Sequence, residues 1–269
     1  MTFVAIPTPP RFHLGTLGIS VTTMDEVLHT MVVAARARKP AYICVANIQT
    51  AVLSQQDAEF CRIENESLLT LPDGMPLVWY ARMAGVRNVV RITGPDVLLE
   101  ILRMSPQGGY THYFYGDTEE TLWRIREVIQ KRFPGTVVRG TCSPPFRELT
   151  EVEVDAAVAE INRLQPSFVW VGLGCPKQER WIGRVISRID ASVLVGVGAA
   201  FRFLIGEYRH PPQVLQACGL EGIFWRGLRQ PGYCARYYAR HLPTYSRLFL
   251  KQLGFRLVGR RDGASRTSH

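Results

Sequence analysis

One carboxylate, Asp73, stands on a turn between Pro72 and Gly74, directly before an apolar stretch with the spacing of a helix. Proline fixes its own backbone angle and glycine adopts angles that other residues avoid, so the turn is expected to be rigid. A carboxylate held in this way suits proton abstraction, but it also suits capping of the helix that follows. The turn alone leaves both interpretations open.

Further candidates lie where strands are predicted to end. Asn47 follows one apolar run, and the segment 172–179 and Gly198 follow two others, while 94–96 forms a loop before a helix. Open α/β sheets place ligand contacts at such positions. Each candidate also has a structural explanation, because Asn47 can cap a helix and the glycines can allow tight packing. Neither glycine turn completes G-x-G-x-x-G, which disfavours a nicotinamide-dependent enzyme.

The elements that must position these residues follow from apolar periodicity. Helical spacing is found over 25–38, about 49–61, 75–84, 118–132, 151–164 and 180–189, and a short hairpin is predicted over 12–21. Short apolar runs predict buried strands over 41–45, 112–115, 136–139, 167–173 and 192–197. Strands that alternate with helices form a parallel sheet flanked by helices. The fold class is therefore α/β.

Composition narrows the class of protein. The chain has 269 residues, 46% hydrophobic and 20% charged, which is ample for a soluble core. No stretch approaches the roughly 18 apolar residues of a membrane-spanning helix, and the first residues lack a secretion pattern. The six cysteines are scattered without a C-x-x-C pair, so we expect reduced thiols in a cytoplasmic protein and no zinc site.

The basic residues are concentrated at the C-terminal end. Residues 221–269 contain 10 Lys and Arg against 2 Asp and Glu, whereas residues 1–220 are nearly balanced. This distribution predicts a polyanionic partner, which is nucleic acid, an anionic membrane surface or a phosphorylated ligand.

Aromatic residues alternate with the basic ones in this segment, as in Phe224-Trp225-Arg226 and Arg236-Tyr237-Tyr238. On helices such a pattern suits a surface that lies on an anionic bilayer. A terminal helical hairpin packed on the core, with its basic face in water, explains it equally well. Aromatics beside arginine also suit single-stranded nucleic acid, but no nucleic-acid fold signature accompanies them.

Taken together, these motifs resemble the WecG/TagA/CpsF family of glycosyltransferases (glycosyltransferase family 26) over roughly residues 12–250. The most specific segments are the Pro-Asp-Gly turn at 72–74 and Gly-Leu-Gly-Cys-Pro-Lys-Gln-Glu at 172–179. The resemblance implies a Rossmann-like core and an inverting transfer from a UDP-sugar to a polyprenyl-diphosphate-linked saccharide. It also implies peripheral association with the inner face of the cell membrane, through a C-terminal appendage.

Residue roles follow from the resemblance and from what inversion needs. Asp73 is expected to be the general base. Donor or nucleotide contacts are expected from Asn47, Gly94, Asp96, Gly172, Gly174, Lys177, Gln178, Glu179 and Gly198, with Glu179 alternatively capping its helix. Acceptor or diphosphate contacts are expected from Arg209, Arg226, Arg229 and Arg236. The chain lacks a D-x-D pair, so we expect a metal-free route and no cofactor.

Four departures from the family pattern bear on the sugar, among them His210 where a small residue is common and Gly222 after Glu221 where tryptophan is usual. Val45 stands where a threonine is common, and Arg202 follows Phe201 where aspartate is usual. The donor is therefore left open among glucose, galactose, N-acetylmannosamine and its uronic acid, for exopolysaccharide or cell-envelope polymer synthesis.

The expected organisation is a catalytic core over 12–210, a membrane- and acceptor-binding appendage over 211–258 and a disordered tail over 259–269. The alternative function is a non-catalytic nucleotide- or nucleic-acid-binding protein with a basic tail. A catalytic reading predicts a UDP-sugar donor, a lipid-linked acceptor and an anionic membrane surface as partners, and no nucleic acid.

Overall fold

A six-stranded parallel sheet forms the centre of the computed structural model, which describes residues 6–209, 226–229 and 231–264. In chain order its strands are β3 (Ala41–Ala46), β4 (Leu69–Pro72), β5 (Thr111–Gly116), β6 (Val137–Cys142), β7 (Phe168–Gly172) and β8 (Val193–Gly196). They lie side by side as β4-β3-β8-β7-β5-β6. The predicted Rossmann-like α/β fold is confirmed.

Helices cover both faces of the sheet. They are α1 (Met24–Ala37), α2 (Ile48–Gln56), α3 (Ala58–Glu66), α4 (Met75–Met83), α5 (Gly94–Gly108), α6 (Glu119–Arg132), α7 (Glu151–Leu164), α8 (Lys177–Val185) and α9 (Ala200–Leu204). Side chains alternate along each strand. Ile43 and Val45 therefore pack towards α1 and α5, whereas Tyr42 and Cys44 pack towards α3 and α8.

A third hydrophobic cluster lies beside the sheet and joins the two ends of the chain. The hairpin of β1 (Arg11–Leu14) and β2 (Leu17–Ser20) contributes Phe12 and Ile19. The long C-terminal helix α11 (Pro231–Ala264) contributes Tyr245, and the short helix α10 (Arg226–Arg229) precedes it. α11 is thus anchored on the core, which agrees with the interpretation of the C-terminal segment as helices packed on the core.

Two local predictions were wrong. The segment 49–61 is not one helix, because Asp57 ends α2 and caps α3 by accepting a hydrogen bond from the Phe60 amide at 2.9 Å. The strand β4 was missed, since Pro72 at its end reads as a turn residue. Proline is tolerated there because β4 is the edge strand of the sheet.

The expected division of the chain is only partly covered by the described residues. Residues 210–225, which contain the predicted boundary at 210/211, lie outside them. The helix α11 continues to Ala264, into the range expected to be a disordered tail. Among the described residues no helix is both long enough and apolar enough to cross a membrane.

A buried histidine makes the stability of the fold sensitive to acid. The His112 ring accepts a hydrogen bond from Trp170 Nε1 through Nδ1 at 3.0 Å, so Nε2 carries the proton and faces Ser105 Oγ at 2.8 Å. Burial lowers the pKa of His112 from 6.5 to about 3. Because its pKa is lowered by folding, His112 binds a proton more readily in the unfolded chain than in the folded one. The free energy of unfolding is therefore greatest above the unfolded pKa of the histidine and falls as the pH drops below it.

We therefore expect the free energy of unfolding to fall by about 1.4 kcal/mol per pH unit below pH 6.5 through this residue, which is about 2 kcal/mol at pH 5. His112→Gln should start from a lower stability but show a shallower slope between pH 7 and 5 in urea titrations. The exposed His29 is the matched control, and His29→Gln should keep the wild-type slope. Equal slopes in all three proteins would contradict the assignment.

Candidate functional site

A cleft of about 770 Å³ lies at the carboxyl ends of β3, β4, β7 and β8, and the first half of α11 forms its outer wall. Its inner end carries polar groups and its outer end is mainly apolar and aromatic. The polar lining residues outside α11 are Asn47, Gln49, Asp73, Arg91, Thr93, Asp96, Gln178 and Arg209, and the outer end is lined by Met75, Pro76, Trp79, Leu242, Phe249 and Leu250 together with Ser246 and the tyrosines of α11.

Asp73 lines the cleft directly after β4. Its amide donates to the Ala46 carbonyl at 2.9 Å, which extends the pairing of β4 with β3 by one residue. The capping interpretation of its side chain is not supported, because the N-cap of α4 is Gly74, without any side-chain hydrogen bond. The carboxylate, whose side chain is 32% exposed, is thus presented to the cleft by a fixed backbone.

Arg91 lies beside Asp73 and was not among the sequence candidates. Its Nε donates to the Asp73 carbonyl at 2.7 Å, and its Nη2 lies 4.0 Å from the Asp73 carboxylate oxygen Oδ1. The side chain is only 18% exposed, yet it lines the cleft. A cation is thereby placed next to the candidate base. The only signal in the sequence is its position two residues before the Thr93 cap of α5.

Asn47 caps α2 and also lines the cleft, so the two interpretations of this residue are compatible. Its Oδ1 accepts from the amides of Gln49 at 2.9 Å and Thr50 at 3.3 Å. The hydroxyl of Tyr237 on α11 also donates to this oxygen, at 3.3 Å. The contact ties the outer wall of the cleft to the end of β3.

Gln178 is fully buried and joins two loops of the cleft. Its Oε1 accepts from the amides of Gly174 at 3.2 Å and Gly198 at 2.9 Å, and its Nε2 donates to Glu179 Oε1 at 2.8 Å. Two donors on one atom identify that atom as the oxygen. The loops after β7 and β8 are therefore held at a fixed separation by one amide.

The predicted glycines fall into two groups. Gly174 and Gly198 line the cleft with positive φ of 77° and 54°, a conformation that favours glycine. Gly94 and Gly172 serve packing instead, because a Cβ atom would meet the Val197 carbonyl at 3.0 Å or the ring of Phe201 at 2.6 Å. Close helix–strand packing was the alternative explanation for such glycines.

Asp96 lies in the first turn of α5 and lines the cleft. Its amide donates to Thr93 Oγ1 at 3.2 Å, and that hydroxyl donates to Asp96 Oδ2 at 2.6 Å. One carboxylate oxygen is therefore committed to the helix cap. The side chain therefore lines the cleft in an orientation fixed by the start of α5.

The basic residues predicted to bind donor or acceptor differ in their position relative to the cleft. Arg209 lines the cleft, whereas Lys177 is exposed at the first position of α8 and Arg236 is exposed on α11, and neither is among the lining residues. The side chains of Arg226 and Arg229 fall outside the described part of the chain. The carboxylate of Glu179 is fully buried behind the cleft wall rather than at its surface.

Two of the departures from the family pattern, at 45 and 202, have structural counterparts, whereas His210 and Gly222 lie outside the described residues. Val45 lines the cleft as an apolar residue where a hydroxyl would be expected. Arg202 points elsewhere, because its Nε and Nη2 donate to both carboxylate oxygens of Asp117 at 2.8 and 2.6 Å. The change at 45 therefore alters the cleft surface directly, and the change at 202 does not.

The outer wall is held by aromatic contacts. Tyr245 of α11 donates from its hydroxyl to the Pro76 carbonyl at 2.8 Å, and Phe249 packs edge-on against Tyr80 of α4 with centroids 5.5 Å apart. Four lining residues are also exposed at the mouth of the cleft: Trp79, Tyr233, Leu242 and Leu250. We call these four the mouth residues.

Comparison with known proteins gives a consistent result. The profile of one family, described as "Glycosyl transferase WecG/TagA/CpsF family", matches residues 12–258. A similar protein from Bacillus subtilis (strain 168) is 26% identical over 212 residues, which is 79% of this chain and 80% of the relative. One from Staphylococcus aureus (strain NCTC 8325) is 21% identical over 205 residues, 76% of this chain and 79% of the relative. Both are named N-acetylglucosaminyldiphosphoundecaprenol N-acetyl-beta-D-mannosaminyltransferase.

Proposed function

The chain belongs to the WecG/TagA/CpsF family of glycosyltransferases, and from this premise we propose that it transfers a sugar, with inversion, from a UDP-sugar to a polyprenyl-diphosphate-linked saccharide. The observation that carries the proposal is the division of the cleft. A fixed carboxylate beside a cation occupies the polar inner end, and an apolar groove leads out to the surface. Sugar chemistry and a lipid chain need these two environments side by side.

The proposed mechanism begins with the acceptor hydroxyl. Asp73 takes the proton from this hydroxyl as its oxygen attacks the anomeric carbon of the donor from the side opposite the UDP group. The bond from the anomeric carbon to the diphosphate oxygen breaks, and UDP leaves with the electron pair. The fixed backbone of Asp73 supports this role, since general bases act through position before pKa.

The departing diphosphate needs positive charge or hydrogen-bond donors. The amides of Gly174 and Gly198 are unsuitable, because both already donate to Gln178. We therefore assign charge stabilisation to Arg91 and Arg209, the arginines that line the described part of the cleft. Lys177 stays a prediction for donor or nucleotide contacts, and Arg226, Arg229 and Arg236 stay predictions for acceptor or diphosphate contacts. We propose a metal-independent route, for which retained turnover in EDTA is the test.

The outer half of the cleft supports the lipid-linked acceptor. The apolar groove between α4 and α11 suits the first isoprene units of a polyprenyl chain, and the mouth residues are exposed where that chain would leave the protein. Arginines on α11, among them Arg236, Arg240 and Arg247, suit the anionic surface of the membrane. We propose peripheral association with the cytoplasmic face of the membrane through this side of the molecule.

The membrane proposal makes a sharp prediction for Leu250, which is 68% exposed. Leu250→Glu should weaken binding to phosphatidylglycerol-containing vesicles about tenfold or more, because a buried leucine contributes about 2 kcal/mol and the new charge is repelled. The matched control is Trp123→Glu on α6, since Trp123 is 60% exposed but lies outside the cleft lining. Vesicle sedimentation measures both. Equal binding by the two variants would contradict the assigned membrane face.

The experiment that tests the function is a donor panel. Purified protein is given UDP-N-acetylmannosamine, its uronic acid, UDP-glucose or UDP-galactose, with a short-chain prenyl-diphosphate-linked N-acetylglucosamine, and product is followed by mass spectrometry. UDP-N-acetylmannosamine comes first, because both relatives carry that activity in their names. Turnover with one donor supports the proposal. No turnover with any donor, together with tight salt-dependent nucleic-acid binding, would favour the non-catalytic alternative.

A further inference from the structure

Two glutamates are buried directly behind the polar wall of the cleft. Glu64 on α3 and Glu179 on α8 are both fully inaccessible to solvent. Glu179 Oε1 accepts the hydrogen bond from Gln178 Nε2, at 2.8 Å. The other three carboxylate oxygens make no hydrogen bond of ordinary geometry within the described residues, and only the weakly donating thiols of Cys44 and Cys175 lie beside them.

The electrostatics of the pair follow from this burial. Burial raises the pKa of both carboxyl groups, and the charge of Glu179 raises the pKa of Glu64 further. The Arg11 guanidinium of β1 acts against this on Glu64. The titratable groups that face the pair from the surrounding elements are Arg11, Tyr42, Cys44 and Cys175. An isolated buried carboxylate is costly, so burial favours the protonated form of each carboxyl group.

We propose that Glu179 is a positioning residue for the proposed transferase reaction: it fixes the orientation of the Gln178 amide, and through that amide the two glycine loops that line the cleft. Neither glutamate touches substrate. The proposal rests on the function proposed above only for its effect on turnover.

The geometry requires an acceptor at this point. Gln178 must present its oxygen to two amides, so its NH2 group points the other way, into the interior. A rotated amide would turn that NH2 group towards the two N–H donors and lose both hydrogen bonds. Glu179 gives the NH2 group the acceptor that makes one orientation favourable. Without it a buried N–H group is unpaired, which costs about 1–3 kcal/mol.

The test compares two substitutions at one position. Glu179→Gln keeps an acceptor oxygen for the Gln178 NH2 group, whereas Glu179→Met has similar length and no acceptor. The first readout is hydrogen exchange in peptides that contain Gly174 and Gly198, whose amides Gln178 protects. We expect exchange at both glycines to rise at least tenfold in Glu179→Met and to stay within threefold of wild type in Glu179→Gln.

The second readout is steady-state kinetics with the donor identified by the panel. We expect Glu179→Met to raise the donor KM more than it lowers kcat, because the loops shape the cleft while Asp73 is untouched, and Glu179→Gln to restore the KM. A merely structural role for the carboxylate would lower the melting temperature of both variants without changing exchange at the two glycines selectively. That result would overturn the proposal, as would wild-type exchange and KM in Glu179→Met.

Two precautions keep the test decisive. If Glu179→Met does not fold, Glu179→Leu removes the acceptor with a different shape, and hydrophobic replacements of buried ionisable groups are often well tolerated. If the wild-type protein turns over no donor, the exchange comparison still decides the positioning role, because it needs no substrate. Failure of the proposed function and failure of this inference are therefore distinguishable.

Discussion

Asp73→Asn is expected to lower kcat by about 10²- to 10⁴-fold, the range that a general base contributes. The substitution keeps the size of the side chain and removes its capacity to take a proton. Folding should be little affected, because the hydrogen bonds of the Asp73 amide with Ala46 and of its carbonyl with Arg91 use the backbone and are kept in the variant. The helix α4 loses no cap, since Gly74 occupies that position. Steady-state turnover, with thermal melting as a check on folding, measures the effect.

The matched control is the second carboxylate of the cleft. Asp96→Asn removes a charge within the same cleft, but the Asp96 carboxylate is hydrogen-bonded to Thr93 at the start of α5. We expect it to affect the donor KM more than kcat. Full activity of Asp73→Asn, or an equal loss of kcat in the two variants, would remove Asp73 from the mechanism.

Arg91→Ala is expected to cost about 10²- to 10³-fold in kcat/KM, as for other residues that stabilise developing negative charge. The loss has two sources, because the guanidinium supplies charge at the inner end of the cleft and its Nε holds the carbonyl of Asp73. Arg91→Lys separates them: it retains the charge but not the planar fork. If Arg91→Lys recovers part of the kcat/KM that Arg91→Ala loses, the recovered part belongs to the positive charge.

UDP binding gives an independent measurement for the same residue. Calorimetric titration should show weaker UDP binding by Arg91→Ala, and much less weakening by Arg91→Lys. Arg87→Ala is the control, since Arg87 is exposed nearby in the chain and does not line the cleft. Unchanged UDP affinity in Arg91→Ala would leave only the contact with Asp73 as its role.

The larger elements of this fold were predictable because burial leaves a strong pattern. The runs at β3, β7 and β8 are apolar on both faces, as in any strand covered by helices on both sides. β4 carries the same information in only four residues, and its proline signals a turn. The edge position that makes the proline acceptable is a property of the assembled sheet and is absent from local sequence.

The site was predictable in its residue types and less so in their contacts. Asp73 and Gln178 stand in recognisable motifs, whereas Arg91 stands in none, and its proximity to Asp73 exists only after the segment before α5 has folded back against the end of β4. Glu179 is the hardest case. A glutamate in the first turn of a helix is normally exposed, and nothing in the sequence shows that Glu64 is buried opposite it.

The cluster that joins Phe12 of the hairpin to Tyr245 of α11 bears on how the protein is made. Phe12 and Tyr245 are far apart in the sequence, so their contact closes a very long loop, and such long closures slow folding. Until α11 has left the ribosome, the apolar faces of the hairpin and α4 lack their partner and the cleft lacks its outer wall. A nascent chain therefore has no complete site. The candidate site is complete only once α11 has packed against the core.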